Sequence, residues 1–317
     1  MYNVAIIGAG QLGSRHLQGL KGAAAPLSIT VVDSSEDSLK VAKERYDVVQ
    51  TIGEKEIKFT TDIKRLPSEL DFVVVATSSK PRASIVKSLL TYSSVKNLIL
   101  EKVLFPRLED YNEIETLLQS KNVNCWVNCP RRMFGAYQII KNSLISSKPL
   151  QMEYAGKDWG LCCNAMHFID VFMYLTGEKS YVIDTNGIRP TILNSKRNGY
   201  IEMNGTLAIS TSKGDTLKLI SSETFDGSSY VDVKNGLNYF ALDEQHGELT
   251  IQGKTMKVKI PYQSQMTGLL VDMVLNTGFC PLTPYKESAD YHRVFIKEML
   301  SVYNKIINLE SDMLPIT

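Results

Sequence analysis

The sequence predicts an α/β, doubly wound parallel sheet over residues 1–124, followed by an α+β domain built on an antiparallel sheet over residues 125–317. Three observations lead there. Between Asn3 and Asn128 short apolar runs alternate with helical stretches, the pattern of parallel strands buried on both faces. The first run leads directly into glycines at positions 8, 10 and 13. After about residue 150 the texture changes to runs of period two, broken by Lys-Gly, Asn-Gly and Gln-Gly, which marks strands with one wet face.

The first-domain strands read NVAIIG, SITVVD, DFVVVAT, NLILE and VNCWVN. Helices are expected between them from Gln11, through the forties, from Pro81 and from Leu108. The second-domain strands read YIEMNGTLAIST, DTLKLISS, SSYVDVKNG, LNYFALD, ELTIQG and TMKVKIP. Three helices, at 164–176, 265–277 and 286–306, are expected to accompany this sheet. A sheet covered on one face leaves the other free, which predicts a homodimer or homotetramer formed through it.

A chain of 317 residues with 44% hydrophobic content has ample core for two domains. Its net charge of +1 leaves no electrostatic footprint for nucleic acid or an anionic membrane, so small molecules and copies of itself are the expected partners. No apolar run approaches the roughly 18 residues that span a bilayer, and the first strand carries neither a basic leader nor a cleavage pattern, so a cytoplasmic location is expected. Five cysteines without Cys-x-x-C spacing argue against a disulfide framework and against a structural zinc site, and no metal is expected.

Gly8, Gly10 and Gly13 follow an apolar strand and open a helix, and Asp33 ends the second strand twenty residues later. This is the context a dinucleotide fingerprint requires. Gly8 permits the tight turn, Gly10 lets a pyrophosphate approach the backbone, and Gly13 allows close helix packing. The loop and helix start, with Gln11 and Leu12, offer free N–H groups to phosphate. Asp33, with Ser34 after it, is placed to accept hydrogen bonds from the adenosine ribose. A 2'-phosphate there would meet a like charge at a cost of about 4 kcal/mol, which predicts NAD over NADP. Thr77 and Ser78 after DFVVVA, and Glu101 and Lys102 after NLIL, stand at the carboxyl ends of strands, where ligands of open α/β sheets bind. His16 is read as a packing or capping residue without chemistry.

GAGQLGSRH, the VVVAT strand end, EKVLF, the RRM stretch and the pattern G-x(6)-H-x-x-D before YLTG, taken in this order, resemble the Gfo/Idh/MocA oxidoreductases. The resemblance runs from the first strand to TPYKESADYHRV. It implies a Rossmann domain followed by a domain on an open, mostly antiparallel sheet, and a nicotinamide-dependent enzyme acting on sugars, cyclitols or nucleotide-linked sugars. It places Lys102 at the lysine of the family's Glu-Lys-Pro motif and His167 at its catalytic histidine. Three positions depart from the family pattern: Val103 where proline is usual, Arg82 where a histidine often follows the third strand, and Cys163 where many members have aspartate.

The helix beginning GLCCNAMHFID is apolar except for Asn164, His167, Asp170 and Tyr174. At about 100° per residue these four share roughly a third of the circumference. Buried without partners, each would cost about 1 to 3 kcal/mol, so the stripe must face ligand, water or other polar groups, as in a cleft between domains. Hydride transfer at a carbinol carbon needs a group to move the hydroxyl proton and positive charge to polarise the carbonyl. Lys102 and His167 are the expected catalytic pair. Asn164, Asp170, Trp159, Arg131 and Arg132 are the expected substrate contacts, an indole offering a flat face to a sugar ring and arginine gripping an acidic group. An alternative is a dinucleotide sensor or regulatory subunit that binds without turnover. Zinc-dependent chemistry through Cys162, Cys163 and His167 is disfavoured, because adjacent cysteines are awkward ligands for one tetrahedral ion.

Overall fold

The computed structural model describes residues 1–317. The chain opens with β1 (Tyr2–Ile7), α1 (Gln11–Leu20), β2 (Leu27–Val32), α2 (Glu36–Asp47) and β3 (Lys55–Thr60). Then come β4 (Glu69–Val75), α3 (Ser79–Tyr92), β5 (Ser94–Glu101), α4 (Glu109–Ser120) and β6 (Asn124–Asn128). The middle of the chain holds α5 (Gly135–Asn142), β7 (Leu150–Gly156), α6 (Leu161–Thr176), β8 (Val182–Ile188), β9 (Leu193–Asn194) and β10 (Ile201–Glu202). Next are β11 (Gly205–Ser210), β12 (Thr216–Ser221), β13 (Val231–Asn235), β14 (Asn238–Asp243), β15 (Glu248–Ile251) and β16 (Lys254–Lys257). The chain ends with α7 (Gln263–Thr277), β17 (Thr283–Pro284) and α8 (Tyr285–Ile307). No helix is long and apolar enough to cross a membrane.

The chain divides into two compact units, the first comprising Met1–Phe105, Glu109–Asn128 and Pro261–Tyr285. Its sheet runs β17-β6-β5-β4-β1-β2-β3, with β1 to β6 parallel and β17 antiparallel to β6. That is the strand order of a dinucleotide-binding Rossmann sheet, as expected. The apolar runs form its centre because both faces are covered: Val4, Ala5, Ile6, Phe72 to Val75 and Leu98 to Leu100 are fully buried. The order reverses at β1, flanked by β2 and β4, and the loops after β1 and β4 therefore open side by side. β3, KEIKFT, was not among the expected strands. It is an edge strand whose residues alternate Lys and Glu with Ile and Phe, so its apolar signal is half that of the central strands.

The helix expected at 265–277 beside the antiparallel sheet is α7, and it belongs instead to the first unit. It packs on α1 at glycine: a Cβ at Gly268 would lie 2.5 Å from the Gly19 carbonyl oxygen, and one at Gly19 would lie 2.8 Å from Thr267. Asp272 accepts from the backbone N–H groups of Ala24 and Ala25 at 2.7 and 2.9 Å, fixing α7 against the turn that follows α1.

The second unit comprises Pro106–Leu108, Cys129–Ile260 and Lys286–Thr317. Its eight-stranded sheet runs β16-β15-β14-β13-β7-β12-β11-β8 and is antiparallel except between β7 and β12. The mostly antiparallel architecture is the expected one. Leu207, Leu217, Leu219, Val231, Val233, Phe240 and Leu242 bury one face. On the other, Gln151, Glu153, Thr216, Lys218, Asp232, Lys234 and Tyr239 line an open depression. Tyr239 donates to Asp232 at 2.7 Å there, and that bond, with burial and the Asp232 charge, pushes its hydroxyl up to about 12.

Candidate active site

In the first unit the residues expected to hold a dinucleotide sit where β1 and β2 end. Gly8 has φ of +92°, and a Cβ there would stand 2.8 Å from the Thr77 nitrogen, so both the turn and the approach of β4 require glycine. At Gly13 a Cβ would lie 1.7 Å from the Gly8 carbonyl oxygen, so only glycine lets α1 start this close to the strand. Gly10 differs. A Cβ there meets nothing within 4 Å, and Gly10 is the N-cap of α1 with no side chain capping the helix. This leaves an open cradle before a helix N-terminus, whose first N–H groups lack intrahelical partners.

Asp33 closes the other side of the cradle. One carboxylate oxygen accepts from the Ala9 N–H at 2.6 Å and the other from the Ser35 N–H at 2.9 Å, so the acidic group braces the glycine loop and still has lone pairs for ribose hydroxyls. The Thr77 hydroxyl, at the end of β4, is buried without a hydrogen-bond partner. An uncapped helix start, an empty approach at Gly10, a braced acid and an orphaned hydroxyl together fit a dinucleotide. Ser34 is exposed and Ser78 is the N-cap of α3, again without a side-chain bond.

Lys102 follows β5 and is half-buried. Glu101 before it is fully buried, with His16 Nε2 at 2.9 Å from its Oε1 and Asn128 Nδ2 on the same oxygen. Burial alone would raise the Glu101 carboxyl, but the His16 and Asn128 hydrogen bonds and the Lys102 charge outweigh it and hold the group below its usual value of 4.5. The Lys102–Val103 peptide bond is cis. Arg82, itself buried, donates to the carbonyl oxygens of Thr77, Val103 and Leu104, tying the end of β4 to the segment after β5. The arginine that departs from the family pattern is thus a strut between two strand ends.

In the second unit α6 carries the polar stripe. It begins after Gly160, which is in the left-handed region at φ of +78°, and no side chain of its own start caps it. Glu202, from β10, caps it instead, accepting from the N–H groups of Cys162 at 2.8 Å and Cys163 at 3.3 Å. A carboxylate therefore stands at the start of α6 although residue 163 is cysteine. Burial, reinforced by Glu202, pushes the Cys162 thiol well up, so it stays protonated.

Along the stripe, Asn164 donates to the carbonyls of Trp159 at 2.9 Å and Gly160 at 3.2 Å. Asp170 is fully buried and accepts from Arg132 Nε at 3.0 Å and Nη2 at 3.1 Å. The Tyr174 ring lies under Lys141, 3.6 Å from its ammonium, and 5.2 Å from the Arg132 guanidinium. His167 is half-buried. Arg131 pairs with Glu244 through Nε at 2.8 Å and Nη2 at 2.7 Å, Tyr137 donates to the same carboxylate at 2.7 Å, and the guanidinium stacks over Phe168 at 4.3 Å. Burial works against the Arg131 charge, but Glu244 more than restores it, holding the guanidinium's proton more tightly than in water. Trp159 donates to the Ile220 carbonyl at 2.7 Å and meets Tyr154 and Phe168 edge to face.

The structure thus gathers Arg132 with Asp170, and Trp159 with Asn164, within this unit. Sequence reasoning missed Glu202, Glu244, Asn128 and Thr267, which act across 27 to 251 residues of chain and leave no local spacing to read. His16 was legible as buried, three residues beyond Gly13, but its partners were not.

Strand order, glycine cradle and braced acid define a nucleotide-binding Rossmann unit. Residues 2–129 match the sequence model of the oxidoreductase family with an NAD-binding Rossmann fold. The match is to the Gfo/Idh/MocA oxidoreductases, the family that the motifs resemble. Comparison with curated proteins gives no match. Among solved structures, an oxidoreductase from Agrobacterium radiobacter in complex with NAD+, L-tartaric acid and magnesium is 14% identical, with a TM-score of 0.70 over 97% of this chain and 96% of that one. UDP-N-acetylglucosamine 3-dehydrogenase from Acidithiobacillus ferrooxidans is 14% identical, with a TM-score of 0.70 over 95% and 96%. Biliverdin reductase from Synechocystis, in complex with biliverdin and NADP+, is 15% identical, with a TM-score of 0.70 over 94% and 98%. These likenesses extend the shared fold to nearly the whole chain.

Proposed function

We propose that this protein is an NAD-dependent dehydrogenase acting on a hydroxyl group of a sugar, cyclitol or nucleotide-linked sugar. The observation that carries the reading is Lys102, a half-buried amine at the carboxyl end of β5 in a unit whose open cradle fits a dinucleotide. NAD, when bound, supplies the acceptor for the hydride. The chain's part is to move the hydroxyl proton and to orient the reacting carbon. Lys102 takes or gives that proton, and His167 orients the oxygen and relays the proton onward. Asn164 keeps its amide oxygen for a substrate hydroxyl, since its amide nitrogen is engaged with the Trp159 and Gly160 carbonyls. Asp170 occupies Nε and Nη2 of Arg132, which leaves its Nη1 to donate to an acidic or phosphorylated substrate, and Arg131 is held by Glu244 beside it. Asp33 favours NAD over NADP by repelling a 2'-phosphate. A second copy of the chain pairs through the open face of the eight-stranded sheet.

A dinucleotide sensor is the second reading. It is favoured by the internal hydrogen bonds that already engage Trp159, Asn164, Arg131 and Arg132. One experiment separates the two: NADH absorbance followed against a panel of aldoses, cyclitols, uronic acids and nucleotide sugars. Turnover that falls at least a hundredfold in Lys102→Met and in His167→Ala is the expected result. Tight NADH binding with no turnover across the panel would establish the sensor, and tighter binding of NADPH than NADH would overturn the cofactor preference.

A further inference from the structure

α1 and α2 of the first unit are joined by a polar ladder through a residue that the proposed chemistry leaves without a role. Its rungs on α1 are Gln11, Ser14 and Gln18, spaced three and four apart and so on one face of the helix. All three meet one residue of α2, the half-buried Arg45. Gln18 Nε2 donates to the Arg45 carbonyl at 2.8 Å and its own oxygen accepts from Arg15, which fixes where the arginine side chain starts. That side chain runs back to the start of α1, where Nη1 donates to Ser14 Oγ at 2.7 Å and Nη2 to Gln11 Oε1 at 2.8 Å. Ser14, fully buried, donates its own O–H to the Gln11 carbonyl at 3.1 Å.

Both acceptors are neutral, so the guanidinium keeps its whole charge. That charge stands at the first turn of α1, the positive end of the helix, and this turn has no acidic residue. Asp33, the acid of the cradle, is engaged with the Ala9 and Ser35 N–H groups. A cation in this place is unfavourable until an anion arrives. The bond to Gln11 has a second consequence. A guanidinium carries only donors, so the atom of the Gln11 amide that faces it must be the oxygen, and the nitrogen, with its two N–H groups, is turned away from Arg45. Gln11 is exposed and directly follows Gly10, whose approach is open. We propose that Arg45 is a positioning residue of the dinucleotide cradle: it presents the Gln11 amide as a donor to the pyrophosphate and adds a full positive charge to the partial one at the start of α1. The anion it serves is the pyrophosphate that NAD and NADP share, since Gln11 follows the glycine that admits that group to the backbone.

This inference rests on reading the glycine loop as the dinucleotide site and is independent of turnover. NADH and NADPH fluorescence titrations of the full chain test it. At low ionic strength Arg45→Met is expected to weaken NADH binding about tenfold, and NADPH binding by the same factor, with the melting temperature within a few degrees of the parent. Arg45→Lys is expected to recover part of the loss, because the charge returns without the second hydrogen bond. Salt separates charge from packing. From about 20 mM to about 500 mM KCl the parent is expected to lose affinity until it approaches Arg45→Met. A gap between the two that stays constant over that range would assign Arg45 to helix packing alone and overturn the proposal, as would NADH binding by Arg45→Met within about twofold of the parent at low salt. A loss confined to NADPH would place the charge at a 2'-phosphate and overturn it as well. Arg45→Gln provides the same neutralisation if the methionine variant fails to fold. A parent chain that binds NADH and turns over no substrate would instead sink the dehydrogenase reading and leave these comparisons standing.

Discussion

Gly10 and Gly13 are both glycines of one fingerprint, yet the space around them differs. A Cβ at Gly13 would lie 1.7 Å from a backbone oxygen, whereas at Gly10 it would meet nothing within 4 Å. Folding therefore requires glycine at 13 but not at 10. Gly10→Ala is expected to keep the melting temperature within a few degrees, since an N-cap alanine costs on the order of 1 kcal/mol, and to weaken NADH binding at least tenfold by filling the phosphate approach. Gly13→Ala is expected to lose stability and binding together. Fluorescence titration beside thermal melts checks both, and tight NADH binding by Gly10→Ala would show that the cradle is not where the pyrophosphate lies. The glycine spacing made this much legible in the sequence. The bracing of Ala9 by Asp33 was not, because an acid at a strand end reads only as a ribose partner until the loop's own N–H groups are located.

At the scale of elements, α6 shows what satisfies a polar stripe on an apolar helix. Asp170 and Arg132 have side chains 1% and 10% exposed, so their charges are largely desolvated and depend on one another. Removing one partner leaves a buried charge without its counterion. Asp170→Asn is expected to cost about 3 to 5 kcal/mol in urea unfolding, while Asp170→Leu combined with Arg132→Met is expected to recover to within about 2 kcal/mol of the parent. A single-variant cost below about 1 kcal/mol would mean that the pair is structurally idle. The periodicity of α6 and of the central strands was visible because apolar spacing is a local property. β3 was overlooked since half its residues are charged, and β7, the strand joining both halves of the second sheet, reads LQMEYAG, with Gln and Glu among its apolar residues and a glycine at its end. The partner of α7 was beyond reach for a different reason. Its contact with α1 is made by Gly19 and Gly268, far apart in the chain, and a glycine contact carries no hydrophobic signature.

Across the whole molecule, three carboxylates that are at least partly buried have a displaced titration and fall in both units. Glu101 in the first, and Asp243 and Glu287 in the second, lie below their usual values. In each case burial opposes the shift and local partners overcome it: His16 and Asn128 at Glu101, His246 at Asp243, Lys179 and Tyr291 at Glu287. A carboxyl whose folded value lies below its unfolded one contributes stability that is present above the unfolded value and is lost as pH falls through the folded value. For Glu101 that upper bound is 4.5. The contribution of these three groups is therefore expected to be level from neutrality down to about pH 5, and the melting temperature to fall steeply below it. Glu101→Gln separates the share of one residue from the rest. At neutral pH it is expected to be less stable by about 1 to 3 kcal/mol, because His16 and Asn128 lose a charged acceptor. As pH falls below 4.5 its melting curve should converge on that of the parent, since protonation of Glu101 removes the same charge. Thermal melts followed by circular dichroism between pH 3 and pH 7 give the comparison, and a gap between the two proteins that stays constant over that range would show that the buried carboxylate is not ionised in the folded state.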